Sequence, residues 1–389
     1  MLDIEITSDC NLSCRWCFVR RMRGPQHMPI HVALDILREA RPLLGGDLHL
    51  TGGEPLIYPH LDELLDSAEA LEYERLILNT NGMFLDEQRC RTLASRRLHT
   101  TLFVSLDGPR TPHEANRGPG SFRPALEGIL TALDQGLSVN VLTVVTKSLL
   151  PHLERFVIDL FTVAQGLGGV TFIPVGDVSQ GTSEMSRPLD ESQLIELVQL
   201  SSAFLLSGAN VRILDYPLAN LVYRAIGLPT TLVGSHCSAC RSRLSIQSDG
   251  TITPCHPVWL PLGHYEPGVL GRVLDAPVCR SIAHREYEGC RHCPDKHICG
   301  HCRAVVLASG RHIFGNDWSC KTLRRLLADR PDLPEATSAA ARRIETGPPS
   351  HEQALDRLFQ PLPLGPTQRP EIQWNTSSQQ EVPGDLAHR

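Results

Sequence analysis

Strand-like and helix-like segments alternate six times between residues 2 and 206, and no other feature limits the fold so tightly. LDIEIT, LHLTGG, RLILNTNG, TLFVSLDG, VNVLTVVTK and VTFIPVG read as strands. The segments after them, from HVALDILREARPLL to ESQLIELVQLSSAFLL, place apolar residues at helical spacing. This rhythm predicts a parallel sheet with right-handed crossovers, either an open doubly wound sheet or a partial barrel. Active sites of such folds gather at the C-terminal ends of the strands. The unusual motifs lie there: CNLSCRWCF after the first strand, TGGEP after the second, NTNG after the third and SLDG after the fourth.

The net charge of the 389 residues is −6, with no long basic run. A nucleic-acid backbone rewards clustered Lys and Arg, so no such partner is expected. MLDIEITSD lacks the basic and apolar regions of a signal peptide. No apolar run reaches the roughly 18 residues of a membrane span. A cytoplasmic location and no membrane partner are the expectation. Thirteen cysteines then argue for metal or cluster ligation, because a reducing compartment disfavours disulfides. Cys90 stands alone in a helix and reads as a small buried apolar residue.

Cys10, Cys14 and Cys17 pose a question of number. A structural zinc takes four ligands, whereas three thiolates on one short loop can hold three irons of a [4Fe–4S] cubane and leave the fourth open. This C-x3-C-x2-C loop after a first strand resembles that of the radical S-adenosylmethionine (SAM) enzymes. TGGEP and SLDGPRTPHEANRGPGSF resemble further stretches of that family, and the likeness covers about residues 2–175. The resemblance implies a partial (β/α)6 barrel. It also implies a cluster that binds SAM at its open iron, cleaves it to a 5′-deoxyadenosyl radical, and draws electrons from a flavodoxin or ferredoxin. Carried over residue by residue, Gly52, Gly53 and Glu54 meet the SAM amino group. Phe18 packs on adenine, and Ser105 and Arg117 meet the carboxylate.

Cys240-x9-Gly250-x4-Cys255, then Cys290-x2-Cys293-x5-Cys299-x2-Cys302, then Cys320, resembles the SPASM extension of a radical SAM subgroup that includes peptide and sulfatase maturases. The pattern departs by one residue before Cys302, where the family has x3. The resemblance implies two auxiliary [4Fe–4S] clusters. One takes Cys237, Cys240, Cys255 and Cys302; the other takes Cys290, Cys293, Cys299 and Cys320. Cys279 is left over and could replace Cys237. Taken alone, the C-x2-C pairs would suit zinc equally. His236, His256, His292, His297 and His301 could also ligate, but the default reading is exposed loop residues.

The expected organisation is a barrel over 1–185, a helical connection over 186–235, the cysteine-rich domain over 236–328 and a Pro-rich, mostly disordered tail over 329–389, in which ALDRLF forms a helical turn or two. RLSIQSDGTITPC reads as a hairpin turning at Asp249-Gly250. The expected activity is radical modification of a ribosomal peptide by crosslinking, epimerisation or oxidation, with a separate leader-binding protein as a possible partner. The alternative is a small-molecule dehydrogenase or epimerase acting on a sugar, aminoglycoside or cofactor precursor. Oxidation at a C–H bond needs a base; Asp177, Glu184, Asp215 and Tyr216 lie near strand ends, and the sequence selects none of them.

Overall fold

The computed structural model describes residues 1–15, 17, 19, 24–174, 189–214, 219–229, 237–258, 260–284, 292–295, 298–299, 302–308, 312–315, 319–345 and 348–362. Phe18, Cys290, Asp177, Glu184, Asp215 and Tyr216 lie outside these residues.

The βα alternation holds through β1 (Leu2–Thr7), α1 (Ile30–Leu44), β2 (Asp47–Gly52), α2 (Leu61–Ala70), β3 (Arg75–Thr80), α3 (Glu87–Ala94) and β4 (His99–Ser105). After β4 come two helices, α4 (Arg110–Arg117) and α5 (Phe122–Asp134). Then follow β5 (Ser138–Val145), α6 (Leu153–Val163), β6 (Gly169–Pro174) and α7 (Glu191–Leu206). Strands β1 to β6 pair in chain order, each parallel to the next, and form the expected partial barrel. Strand residues alternate between two faces. On β1, Leu2, Ile4 and Ile6 join the core with Ala33, Ile36, Leu37 and Ala40 of α1. Asp3, Glu5 and Thr7 point the other way, into the concave interior, and are equally buried. The apolar–polar alternation of LDIEIT therefore marks an outer face against helices and an inner polar wall, not a solvated edge.

Two expectations about organisation need correction. Between residues 186 and 235 the chain is not purely helical. A seventh strand, β7 (Val211–Ile213), pairs parallel to β6 before α8 (Ala219–Ile226). At three residues it is too short to show a period. The cysteine-rich segment is also not a detached unit. Its hairpin, β8 (Leu244–Ile246) and β9 (Thr251–Thr253), turns at Asp249-Gly250 as expected. But β8 pairs parallel with β1, Leu2 beside Leu244, so one sheet runs β10-β9-β8-β1-β2-β3-β4-β5-β6-β7. Here β10 is Gly263–His264, and α9 (Leu270–Asp275), α10 (Pro277–His284), α11 (Arg303–Ala308) and α12 (Ser319–Ala328) follow.

The tail is corrected over part of its length. Residues 333–359 hold α13 (Leu333–Glu345), packed on α7 and α8, and α14 (His351–Phe359), packed on α6 and α4. The prolines that suggested disorder sit where a helix accepts them. Pro334 lies in the first turn of α13, and Pro348 and Pro349 precede the Ser350 capping box of α14. Arg357 grips buried Asp159 of α6 at 2.7 Å, and the Phe359 ring stacks edge-on to Phe122 at 5.1 Å. Residues 363–389 lie outside the described part. Among the described residues no helix is long and apolar enough to cross a membrane.

Candidate functional site

The loop bearing Cys10, Cys14 and Cys17 leaves β1 and returns beside it. Its base is closed by Ser8 N–H to Gln26 O and Met28 N–H to Ile6 O, both 2.9 Å. Thr7 Oγ1 accepts from Asp9 N–H, and Asp9 Oδ1 accepts from Cys10 N–H, each at 2.9 Å. The entry to the loop is thus fixed by its own short polar side chains.

TGGEP holds this entry from the side. Gly53 N–H donates to Thr7 O at 2.7 Å, and Glu54 N–H to Asp9 O at 2.8 Å. A Cβ on Gly53 would lie 1.9 Å from Asp9 O, and one on Gly52 2.1 Å from Thr7 O. Gly52 also has φ +127, which disfavours a side chain. The close approach that demands these glycines is to the backbone leading into Cys10. The Glu54 carboxylate is wholly buried. It accepts from Leu56 N–H (3.1 Å), Thr80 Oγ1 (2.8 Å) and Asn81 N–H (2.7 Å), clamping the end of β2 to the end of β3. Burial pushes its pKa up to about 6, against those hydrogen bonds.

Asn81, in NTNG, completes the frame. Its Nδ2 donates to Asn11 Oδ1 at 2.7 Å and points at Cys10 Sγ from 4.0 Å, while Leu12 N–H reaches the same sulfur at 3.4 Å. On the far side, Arg15 N–H donates to Asn116 O at 2.9 Å. Arg117 forks onto buried Asp107 (Nε to Oδ2 2.8 Å, Nη2 to Oδ1 3.2 Å) and turns Nη1 toward Cys14 Sγ at 4.0 Å. Asn116 also donates to Asp107 Oδ2, and Val144 N–H to Oδ1 at 3.0 Å. Burial would raise the Asp107 carboxyl, but the Arg117 charge holds it below the usual carboxylate range. Ser105 ends β4 with its side chain partly exposed on the concave face. Sequence reasoning missed Asn81, Asp107 and His113, whose Nδ1 accepts from Asp107 N–H at 3.1 Å. The motifs NTNG and SLDG pointed at the first two; nothing in the sequence pointed at His113.

The donor set suits thiolates carrying iron. Burial lifts the Cys10 thiol to about 11, with Glu54, Cys14 and Cys17 adding to the rise, so the three thiols lie within electrostatic reach of one another. The Cys14 thiol is raised by burial and eased back by Arg117. Iron binding would release those protons, and N–H groups aimed at Cys10 and Cys14 would then stabilise the thiolates. Among the described residues no three His, Cys, Asp or Glu side chains close on a single ion. A cubane, with one iron per cysteine, spreads its ligands wider than one ion does.

The inner wall joins this site to the cysteine-rich segment. His49 Nδ1 meets Asp3 Oδ1 at 3.0 Å, and Thr51 Oγ1 meets His256 Nε2 at 3.4 Å. Ser248 Oγ donates to Glu5 Oε1 at 2.8 Å. His256, expected to be solvent-exposed, is instead partly buried against the strand that carries TGGEP; His292 is exposed. Further on, the Cys279 thiol and burial push the Cys240 thiol up, with Cys255 and Cys237 adding to the rise. Arg324 donates to Cys293 Sγ at 3.5 Å, hydrogen-bonds Cys320, and pairs with Asp295 at 2.5 Å. None of the described cysteines is bonded in a disulfide. Cys90 is fully buried on α3.

Residues 4–153 match the Radical SAM superfamily. An "AdoMet-dependent heme synthase" of Oleidesulfovibrio alaskensis is 24% identical over 79% of this chain and 84% of its own length. Among solved structures, native anSMEcpe with bound AdoMet superposes with a TM-score of 0.68 at 20% identity, over 88% of this chain and 99% of that one. Streptococcus suis SuiB bound to its precursor peptide SuiA gives 0.65 at 19% identity, over 82% and 75%. These likenesses span the barrel and much of the cysteine-rich half, and they concern the fold.

Proposed function

We infer that this chain, a radical SAM enzyme by the domain it carries, is a maturase that abstracts hydrogen from a peptide and thereby crosslinks, epimerises or oxidises it. The observation that carries this reading is the thiol loop at the end of β1, braced by TGGEP, NTNG and the end of α4 at once. When bound at Cys10, Cys14 and Cys17, a [4Fe–4S] cluster supplies the electron that cleaves SAM to methionine and a 5′-deoxyadenosyl radical.

The chain's own residues place the reactants. Gly52, Gly53 and Glu54 would border the SAM amino group. Glu54 does so from a carboxylate already held by three donors, so its part is to fix the backbone around that group. Arg117 keeps its charge, because Asp107 raises its pKa further, and with Ser105 would face the SAM carboxylate. Phe18 would cover the adenine. The polar inner wall of β1 and β2 gives a substrate hydrogen-bonding groups below that point. The sets Cys237, Cys240, Cys255, Cys302 and Cys290, Cys293, Cys299, Cys320 would hold two auxiliary clusters. Clusters held there would supply an electron acceptor for the substrate radical or would help to position the substrate.

A peptide is favoured because the chain shares its fold over 82% of its length with SuiB, a protein solved bound to its precursor peptide SuiA. The heme synthase relative favours the second reading, a small molecule. The test is release of 5′-deoxyadenosine by the reconstituted, reduced protein under anaerobic conditions. A peptide encoded beside the gene should raise the release above the substrate-free rate and change in mass itself. Release stimulated only by small molecules sinks the peptide reading, and no SAM cleavage at all sinks both.

A further inference from the structure

We propose that Phe359, on the C-terminal helix α14, is a positioning residue for Arg117: it braces α4 from behind, and α4 carries Arg117 to the cysteine loop. The proposal rests on the reading above, in which Arg117 faces the SAM carboxylate.

α4 is poorly equipped to hold its own position. It has eight residues, RTPHEANR, and its buried side chains are His113 and Asn116, both polar. A helix this short is marginal alone and normally takes its stability from packing an apolar face. Its C-terminal end nevertheless does exacting work. Asn116 O accepts from Arg15 N–H at 2.9 Å, and Arg117 spans from Asp107 to within 4.0 Å of Cys14 Sγ.

α14 supplies the missing support. Arg357 ties it to α6 through buried Asp159, at 2.7 and 3.1 Å. The Arg123 guanidinium of α5 lies 4.7 Å from the centre of the Phe359 ring. Just past the helix, Leu362 N–H donates to Thr111 Oγ1 of α4 at 3.0 Å. From Phe359 a row of rings runs inward. Phe359 meets Phe122 edge-on at 5.1 Å, and wholly buried Phe122 meets the His113 ring edge-on at 5.6 Å. Edge-to-face pairs fix orientation as well as separation. His113 Nδ1 then accepts from Asp107 N–H at 3.1 Å, and Asp107 forks onto Arg117. Without the outer ring, Phe122 and His113 can relax outward and α4 can tilt. A guanidinium shifted by about 1 Å forfeits much of its hold on a carboxylate.

The test uses the full chain, reconstituted anaerobically, with SAM itself as the probe. Phe359→Ala should raise the Kd and KM for SAM about tenfold, with kcat for 5′-deoxyadenosine release little changed. Phe359→Leu should fall between this variant and the parent. Leu333→Ala, which empties a wholly buried position on α13, is the stability control. It should lower the unfolding temperature and leave SAM affinity at the parent value. In the double variant with Arg117→Met the two losses should not add, because one acts through the other. Hydrogen exchange, which needs no cluster, should quicken over residues 110–117 in Phe359→Ala and stay unchanged over α2. Should Phe359→Ala fail to fold, Thr111→Val removes only the acceptor of Leu362 N–H and should weaken SAM binding by a smaller factor. Unchanged SAM affinity in folded Phe359→Ala overturns the proposal alone. So does an equal loss in Leu333→Ala, or additive losses in the double variant. A parent that binds no SAM overturns the reading beneath the proposal as well.

Discussion

Around Cys10 the thiols share one loop, and polar backbone contacts from three strand ends hold it. Around Cys240 the cysteines come from separate elements: Cys237 and Cys240 precede β8, Cys255 follows β9, and Cys279 lies on α10. The first frame depends on individual hydrogen bonds and on two glycines, so single substitutions should empty it. The second depends on burial and should tolerate polar changes better.

The largest effect belongs to Gly53→Ala. Its Cβ would collide with Asp9 O, a backbone atom that cannot swing aside. We expect a loss of about 5 kcal/mol or an unformed loop. Iron should fall by the share of one cluster while the cysteine-rich half stays loaded. Simultaneous loss at both sites would mean that they fold as one unit. Arg117→Met comes next. It leaves Asp107 buried without its cation, which costs about 3–5 kcal/mol. Urea unfolding should register this cost, and SAM binding should weaken with it.

A third prediction concerns pH. Burial holds His113 neutral, lowering its pKa from 6.5 to about 3. The unfolded chain binds this proton more readily than the folded one. Stability from this group is therefore full above about 6.5 and falls as pH drops toward about 3. His113→Asn keeps a side-chain acceptor near Asp107 N–H and cannot titrate. Its unfolding free energy should fall less between pH 6.5 and 4 than that of the parent. Equal slopes would show that other groups dominate. The smallest effect is that of Arg324→Met, which removes the donors to Cys293 and Cys320. We expect about 1 kcal/mol of stability and a lower reduction potential at that site alone. A shifted spectrum at the Cys10 site would break the separation.

Much of this was legible in the sequence because periodic pattern reports burial. Six strands and the helices after them were readable, and so were the loops where chemistry gathers. TGGEP was read for its glycines and its acid, but their partners were not. The glycines admit the backbone of Thr7 and Asp9, and Glu54 spends its oxygens on Thr80, Asn81 and Leu56. Pattern does not reveal such contacts between distant segments. β7 escaped because three residues carry no period. α13 escaped, and α14 was read only as a turn or two at ALDRLF, because proline content was weighed without position; Pro334 and Pro349 stand where helices begin. His256 was assigned to solvent because nothing local foretells that its loop folds onto Thr51.

The pairing of β1 with β8 has a consequence for how the chain is made. β1 leaves the ribosome long before β8 and must wait for this parallel neighbour until the hairpin at Leu244 emerges. At typical elongation rates the delay is on the order of tens of seconds. Throughout that time one side of β1 is an unpaired edge, ready to join a strand from another nascent chain. The barrel can assemble from β2 onward as it emerges, but the edge beside the cysteine loop closes late. Crowded polysomes, rapid overexpression and any truncation before residue 244 should therefore favour aggregation through β1.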